Sequence, residues 1–425
     1  MKLLITNALI CDLQSVWHEK KCDILIANGL IENVKLSGKK NTTQTTTKTF
    51  DADGAIVFPG LMDMRTFLRE PGFEHKETLE SASLAALAGG FTHITALPDT
   101  QPVTQNKASI EFILNRSASL PVHILPYAAI TKNREGIEMN ELFDLHQAGA
   151  VAFTDGNRGI MDSGLMMRSL LYTKLFNGLI LSHANDNNLS TGGRMHEGNV
   201  SVNLGLKGIP AMAEELMIAR DIELARYTKS PIHFSHISSK GSVELIRKAK
   251  KQLLQITCDV AVANLIYTDE AVMGFDSHYK LNPPLRSKDD QKALWEGVAD
   301  GTINAIVTDH QPEDIENKQV EFEYAAYGIT MLQTALSLLI THAPKNVDMA
   351  QIAKALTWGP RQVLKQQQVT ISAGQQAEFC CFDPKQTWVL NDKTNFSKSR
   401  NSPAYHKQLT GKVTATFTKN KLHKF

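Results

Sequence analysis

Residues 57–72 read VFPGLMDMRTFLREPG, and this stretch decides the fold. A turn at Pro59-Gly60 precedes the mostly apolar run 61–64, and a second turn follows at Pro71-Gly72. Polar and apolar residues alternate between the run and the second turn. The pattern is typical of a buried strand that leads into a loop, so we expect a strand over 61–67.

The size and composition of the chain limit what it can be. Its 425 residues, 42% of them hydrophobic, suit one large α/β barrel with an accessory domain, or two or three ordinary domains. The net charge of +1 gives no electrostatic reason to expect nucleic acid or an anionic membrane as a partner. No apolar run approaches the length of a membrane span, and the N-terminus alternates like a strand rather than a signal peptide.

The cysteine pattern indicates the cellular compartment. The five cysteines form no CxxC pair and no even framework; they are Cys11, Cys22, Cys258, Cys380 and Cys381. Such a set is typical of reduced thiols, so we expect a cytoplasmic protein.

The middle of the chain alternates between strand-like and helix-like segments. Helical patterns lie between the strands, for example over 76–90, with a start at Thr78 and a glycine stop at Gly89-Gly90, and over 211–230. About eight such repeats predict an α/β fold, a closed TIM-type (β/α)8 barrel. The predicted strands are 61–67, 93–98, 122–128, 150–155, 179–184, 232–237, 255–260 and 305–310.

Both ends of the chain read as short strands. Asn28-Gly29 between two apolar runs predicts a hairpin, and 37–50 reads as an exposed, Thr-rich loop. Neither end can bury enough surface alone, so one small β-sandwich built from both is the economical solution. The predicted division is 1–58 and 366–425 for the sandwich and 59–365 for the barrel.

The stretch 59–72 resembles the first barrel strand of the cyclic amidohydrolases, and most closely the dihydroorotases, whose version reads roughly PGLIDMHVHLREPG. The resemblance extends over nearly the whole chain, including the tail SKSRNSPAYHKQLTGKV at 397–413, and it implies the same barrel and terminal sandwich. In that family the two histidines of the HxH pair hold a catalytic metal. Arg65 and Phe67 stand at those positions here.

Other positions of the family's metal site are retained. FTDGN at 153–157 resembles FTDDG and places Asp155 as a metal-bridging residue. LSHAND at 181–186 resembles the HCED stretch and places His183 as a ligand, and HFSHISSKG places His236 as the second ligand of that metal. VTDHQPE resembles TDHAPH and places Asp309 as the general base. A capping carboxylate is the structural alternative for Asp309, and hydrogen-bonded remnants of a polar barrel mouth are the alternative for the ligand set.

Arg65 is the most informative departure. Arginine is always protonated, so it cannot donate a lone pair to a metal and repels it instead. We expect Arg65 to pair with Asp155 or Asp309 and so to supply a positive charge in place of the ion. On this hypothesis, Arg65→His alone does not restore metal binding.

The substrate side of the resemblance is also mixed. Arg69, the family's carboxylate-binding arginine, survives, and so does Asn282 in LNPPLR. The family's other carboxylate-binding residue, the Asn of MPNTxP, is Asp99, which places like charges against each other. LREPG and NPPLR are alternatively structural turns. Further departures stand at Ala263, Asn264, Glu313 and Ala326.

Three functions remain open. The first is a dihydroorotase-like protein of pyrimidine biosynthesis that has lost activity and acts structurally; the resemblance implies aspartate transcarbamoylase as a partner. The second is an active cyclic amidohydrolase with a single zinc on Asp155, His183 and His236 and with Asp309 as base, because three protein ligands plus water form a catalytic zinc site. The third is a small-molecule sensor. At most one zinc site, or none, is expected, and a homodimer is the default assembly.

Overall fold

The computed structural model describes residues 2–38 and 48–425. The strands that it contains are β1 (Lys2–Ile10), β2 (Lys21–Ala27), β3 (Leu30–Leu36), β4 (Lys48–Asp51), β5 (Ile56–Pro59), β6 (Leu61–Asp63), β7 (Phe91–Ala96), β8 (His123–Ala128), β9 (Ala152–Phe153), β10 (Ile180–Ser182), β11 (Met195–His196), β12 (Gly208–Ile209), β13 (Ile232–Phe234), β14 (Ile256–Ala261), β15 (Ala305–Val307), β16 (Phe379–Val389), β17 (Gln408–Thr418) and β18 (Lys421–Lys424).

The helices follow the strands of the barrel and cover its outside. They are α1 (Leu79–Ala88), α2 (Lys107–Ser117), α3 (Leu142–Gln147), α4 (Ser163–Lys174), α5 (Asn187–Ser190), α6 (Asn199–Leu204), α7 (Met212–Thr228), α8 (Lys240–Lys251), α9 (Val262–Ile266), α10 (Lys288–Ala299), α11 (Ile315–Lys318), α12 (Ala335–His342), α13 (Met349–Leu356) and α14 (Trp358–Val363). Short 3-10 turns cover Lys132–Arg134, Asp269–Gly274 and Ser277–Tyr279.

Eight parallel strands form the barrel, in the order β6-β7-β8-β9-β10-β13-β14-β15. The first and last strands meet just beyond their ends, where a parallel bridge joins Thr66 to His310 and the Phe67 amide donates to the His310 carbonyl at 2.9 Å. The buried carboxylate of Asp63 accepts the Thr308 amide at 3.1 Å across the same seam. The (β/α)8 barrel expected from the sequence is confirmed.

All eight predicted strands are present, but several are shorter than predicted. The predicted strand 61–67 ends at Asp63, and the predicted strand 150–155 is reduced to Ala152–Phe153. The regular ladder is interrupted at Arg65, whose amide donates to Asp63 Oδ1 at 3.1 Å, and beyond it single backbone contacts continue at Thr66 and Phe67. Helix α1 begins and ends as predicted, with Thr78 as its N-cap and Gly89 at its C-cap.

Both ends of the chain build a second sheet, as expected. Its path is β18-β17-β16-β5-β1-β2-β3, with β4 also paired to β1, so the sheet branches at β1 and folds over a core of its own. The Asn28-Gly29 hairpin is present, and both residues have the positive φ that such a turn requires. Within the predicted loop 37–50, residues 39–47 lie outside the described residues, and Lys48–Asp51 forms β4 instead of loop.

The five cysteines are buried and none forms a disulfide bond. Over the described ranges, no helix has both the length and the apolar character needed to cross a bilayer.

Candidate functional site

The site residues predicted from the sequence follow the ends of the barrel strands and meet at one mouth of the barrel, as parallel β/α topology requires. They lie beyond β6 (Arg65, Phe67 and Arg69), β7 (Asp99), β9 (Asp155), β10 (His183), β13 (His236), β14 (Asn282) and β15 (Asp309).

Arg65 is buried in the mouth and paired with Asp309. The Arg65 side chain is 1% exposed, and its Nε lies 2.7 Å from Asp309 Oδ1. Nη1 donates to Ser235 Oγ at 3.3 Å and Nη2 donates to Asn157 Oδ1. Of the two partners that the sequence allowed, the structure therefore shows Asp309. Burial raises the pKa of Asp309 to about 6, although the positive charge of Arg65 acts in the opposite direction.

Arg69 is held by acidic groups of the chain itself. Nη1 lies 2.7 Å from Asp99 Oδ2 and Nη2 lies 2.6 Å from Glu313 Oε1, while Nε donates to the Pro312 carbonyl at 3.1 Å. Lys76 completes the cluster, with its Nζ 2.7 Å from Glu313 Oε2. Asp99 and Glu313 replace a neutral Asn and a His of the dihydroorotase pattern. Both substitutions thus place a carboxylate on the arginine that would bind a substrate carboxylate.

Phe67 separates the two arginines. Its ring centroid lies 5.5 Å from the guanidinium carbon of Arg65 and 5.2 Å from that of Arg69. Both distances are within the range of a cation–π contact, and Phe67 is 2% exposed. At a position where the family has a metal ligand, this chain has an aromatic face that stabilises positive side chains.

His183 and His236 lie together on the other side of the mouth. Their rings are nearly parallel, at an angle of 8°, with centroids 4.7 Å apart. His183 Nε2 and both ring nitrogens of His236 are buried without a hydrogen-bond partner, although the Asn282 backbone lies near His236. Burial and, next, the charge of Arg65 lower the pKa of His183 to about 3 and that of His236 well below its usual value. Both imidazoles are therefore neutral at pH 7.

Asp155 is hydrogen-bonded to Thr131. Its two oxygens accept hydrogen bonds from Thr131, from the amide at 3.0 Å and from the hydroxyl at 2.5 Å. Burial raises the pKa of Asp155. The ligand atoms of Asp155, His183 and His236 do not all lie within 4.8 Å of one another; the set of described residues that does so lies elsewhere. The structure thus brings together two members of the expected metal set and not the third.

A catalytic metal fits this mouth poorly. The unpartnered nitrogens of His183 and His236 are suitable donors, but the charge of Arg65 acts on both imidazoles. The negative charges that would balance an ion are already used, because Asp309 neutralises Arg65, and Asp99 and Glu313 neutralise Arg69 and Lys76. Two imidazoles beside a buried guanidinium do not make the three-ligand set of a catalytic zinc site.

One cavity on the histidine side of the mouth is small. The cavity beside His183, His236 and Asn282 has a volume of about 10 Å³, roughly what one water needs. Small-molecule sites usually have about 300–1,000 Å³. Asn282 lines this cavity together with both histidines, and its predicted contact with substrate stays a prediction.

The backbone of the site keeps an unusual conformation. Arg69, His236 and Asp309 have φ values of 64°, 45° and 48°, in the left-handed region that residues other than glycine rarely adopt. Such strain persists where the surrounding structure fixes it, and it is concentrated at functional sites. Three residues of the site thus hold a backbone conformation that the structure around them has to stabilise.

Three partners at the mouth were not found from the sequence: Thr131, Asn157 and Ser235. Asn157 and Ser235 each lie within two residues of a predicted site residue, so polar side chains just after a strand end were the available signal. Thr131 lies far along the chain from Asp155, and nothing in the local pattern indicates that contact.

The comparisons with known proteins agree with this geometry. A family model described as "Dihydro-orotase-like" matches residues 54–242. The chain is 40% identical to a dihydroorotase of Syntrophus aciditrophicus over 425 residues, 99% of both chains. It is 42% identical to a dihydroorotase of Pelotomaculum thermopropionicum over 418 residues, 98% of this chain and 97% of that one.

Solved structures give the same fold. The L-hydantoinase (dihydropyrimidinase) of Arthrobacter aurescens superimposes with a TM-score of 0.86 over 99% of this chain and 95% of its own, at 20% identity. At that identity the match supports the amidohydrolase barrel alone. The full-length relatives at about 40% identity carry the family assignment, and on them this chain belongs to the dihydroorotase family.

Proposed function

We propose that this chain is a non-catalytic dihydroorotase homologue that acts in pyrimidine biosynthesis as a structural or regulatory protein of the cytoplasm. The observation that carries the proposal is the buried pair between Arg65 and Asp309, 2.7 Å apart. It places a fixed cation where the family holds a metal, and it occupies the carboxylate that the family pattern assigns as base. A guanidinium in contact with a carboxylate stabilises its ionised form and so weakens it as an acceptor for a substrate proton.

The substrate side supports the same proposal. Dihydroorotate carries a carboxylate, and each of the three nitrogens of Arg69 already has a partner, in Asp99, Glu313 and the Pro312 carbonyl. A substrate would have to displace two acidic side chains that are each 6% exposed. Displacing such buried pairs costs several kcal/mol, which a small carboxylate cannot recover from one arginine.

The test is an assay of dihydroorotate hydrolysis and of the reverse cyclisation, with and without added zinc. The Syntrophus aciditrophicus dihydroorotase, which is 40% identical, serves as the positive control; it is purified in the same way and assayed in the same buffer. We expect no turnover above background at any zinc concentration. Turnover that Asp309→Asn abolishes would show that the ancestral chemistry survives and would overturn the proposal.

One observation favours a second function, a hydrolase with one metal ion. The unpartnered ring nitrogens of His183 and His236 would gain partners if an ion bound there. The double variant His183→Gln/His236→Gln separates the two functions. If metal content and turnover both fall in this variant relative to wild type, the chain is a hydrolase; if neither changes, the imidazoles are remnants.

For the partner, we propose aspartate transcarbamoylase, which the family resemblance implies. The experiment is size-exclusion chromatography of this chain with the aspartate transcarbamoylase of the same genome, alone and mixed. A shared peak larger than either protein, together with changed transcarbamoylase activity, is the expected result. Two independent peaks at micromolar concentrations would reject this partner, and the elution of the chain alone tests the expected homodimer.

A further inference from the structure

A second cluster of metal-ligating side chains lies at the opposite end of the barrel, where the strands begin. His93 in β7 and His123 at the start of β8 are paired across neighbouring parallel strands, and their rings stack at 4.4 Å. Glu378, the residue before β16, reaches them from the terminal sheet. One ligand atom of each residue lies within 4.8 Å of the others.

We propose that His93, His123 and Glu378 form a binding site for a divalent transition-metal ion of the zinc type. Two imidazoles and one carboxylate are the donor set of a three-ligand zinc site with one position left for water. Glu378 Oε1 lies 3.2 Å from His123 Nε2 and Oε2 lies 3.5 Å from His93 Nδ1. Donors around a tetrahedral ion with bonds of about 2.0–2.1 Å are separated by roughly 3.3 Å. The two carboxylate distances are close to this value, and rotation of the stacked imidazole rings would direct both nitrogens at one ion.

One donor of the cluster is unpartnered. His123 Nε2 has no hydrogen-bond partner; the atom itself is buried, whereas its side chain as a whole is 33% exposed. The carboxylate of Glu378 is 2% exposed and therefore fixed in direction. His93 Nδ1 lies 3.0 Å from the hydroxyl of Thr92, a contact that an ion would replace. An ion would enter from the partly exposed side of the His123 ring.

Two cations limit the affinity of the site. Arg361 Nη2 lies 3.8 Å from Glu378 Oε2 and 3.3 Å from His93 Nδ1, and the guanidinium is held by the Thr357 carbonyl at 3.1 Å. Lys419, anchored to the Leu120 carbonyl at 2.7 Å, also acts on Glu378. These two positive side chains oppose the binding of a metal ion. We therefore expect an affinity in the micromolar range rather than the tighter binding of a closed structural zinc site.

An ion at this place would join the barrel to the terminal sheet. His93 and His123 belong to two barrel strands, whereas the Glu378 carbonyl accepts the Gly60 amide at 2.9 Å where β5 passes into β6. The site is thus structural: its occupation links the two parts of the fold and stabilises the native state by mass action.

The experiment is titration of the metal-stripped full chain with Zn²⁺ and with Co²⁺. Calorimetry and Co²⁺ absorption measure binding, and thermal unfolding measures its effect on stability. We expect about one ion per chain and a rise in Tm with Zn²⁺. His123→Gln changes a partly exposed side chain and should lower the affinity by roughly 100-fold or more, since even losing an indirect partner costs about 10–100-fold. It should also abolish the rise in Tm.

The matched control is His183→Gln/His236→Gln, which removes the imidazoles at the mouth and should leave the titration unchanged. Lys419→Gln removes one repelling charge and should strengthen binding. The proposal is overturned if wild type binds no ion below millimolar concentration, or if the control variant loses the ion while His123→Gln keeps it. The control variant changes residues at the mouth, whereas the proposed ion site lies at the other end of the barrel. The proposed loss of catalysis can therefore be tested independently of the ion site.

Discussion

Arg65 and Asp309 form an ion pair inside the barrel mouth, with Nε and Oδ1 2.7 Å apart and side chains 1% and 9% exposed. The pair joins the residue that replaces a metal ligand to the residue that the family pattern assigns as general base. The two positions are thus coupled in the folded protein, although 244 positions of sequence separate them.

The first prediction concerns the stability of this pair. Arg65→Met leaves Asp309 as a buried charge without a partner, so we expect a loss of about 3–5 kcal/mol in the free energy of unfolding. Arg65→Met/Asp309→Leu removes both charges and should be less destabilised than the sum of the single variants. Denaturant unfolding of wild type, Arg65→Met, Asp309→Leu and the double variant measures the coupling between the two charges. If the effects of the single variants add within about 0.5 kcal/mol, the two charges do not interact.

The second prediction concerns the lost ligands. Arg65→His removes the cation but supplies one donor, and Phe67→His supplies the other while Arg65 still repels the ion. We expect neither single variant to gain metal over wild type and the double variant to gain it. The readout is metal content per chain in a background carrying His123→Gln, so that the cluster at the far end of the barrel does not contribute. A gain in Arg65→His alone would contradict the expectation.

The third prediction concerns Arg69. In Asp99→Asn/Glu313→Gln the guanidinium loses both carboxylates, and we expect dihydroorotate to bind at least about tenfold more tightly than to wild type, because like-charge repulsion is removed. Calorimetry or ligand-observed NMR measures this. The control adds Arg69→Gln to the same background and should return the affinity to the wild-type level. Equal affinity in all three proteins would mean that the mouth stays closed for another reason.

The sequence predicted the fold well because its signals are local. The alternation of strands and helices, the Asn28-Gly29 hairpin and the Thr78 cap each depend on neighbouring residues, and each is present in the structure. Strand ends were predicted less well. After Asp63 the Arg65 amide donates to a side chain instead of to a neighbouring strand, and no local pattern separates that interruption from a longer strand.

The site was predicted as a set of positions and not as a set of contacts. Arg69 meets Asp99 and Glu313 across 30 and 244 positions of sequence, and the sequence showed the two acidic substitutions without showing that they share one arginine. Asp155 was expected beside His183 and His236, yet it turns to Thr131. The cluster of His93, His123 and Glu378 left no signal, because no spacing rule joins two strand starts to a distant sheet.

The fourth prediction concerns pH and tests the seam that closes the barrel. Asp63 is fully buried, and burial raises its pKa to about 7 from a usual value of 3.8, although hydrogen bonds from Thr308 lower it. Its folded pKa is the higher one, so the folded state binds the proton more tightly, and the contribution to stability is complete below pH 3.8 and is lost as pH rises to about 7.

Asp63→Asn removes this titration while keeping the size of the side chain. Relative to wild type, the variant should gain roughly 1.4 kcal/mol for each unit that pH rises between about 4 and 7, and nothing further above pH 7. Denaturant unfolding of both proteins at pH 5, 6, 7 and 8 provides the comparison. If the two stability curves run parallel from pH 5 to 7, Asp63 is ionised throughout, and the barrel closes around a buried charge stabilised by the Thr308 and Arg65 amides.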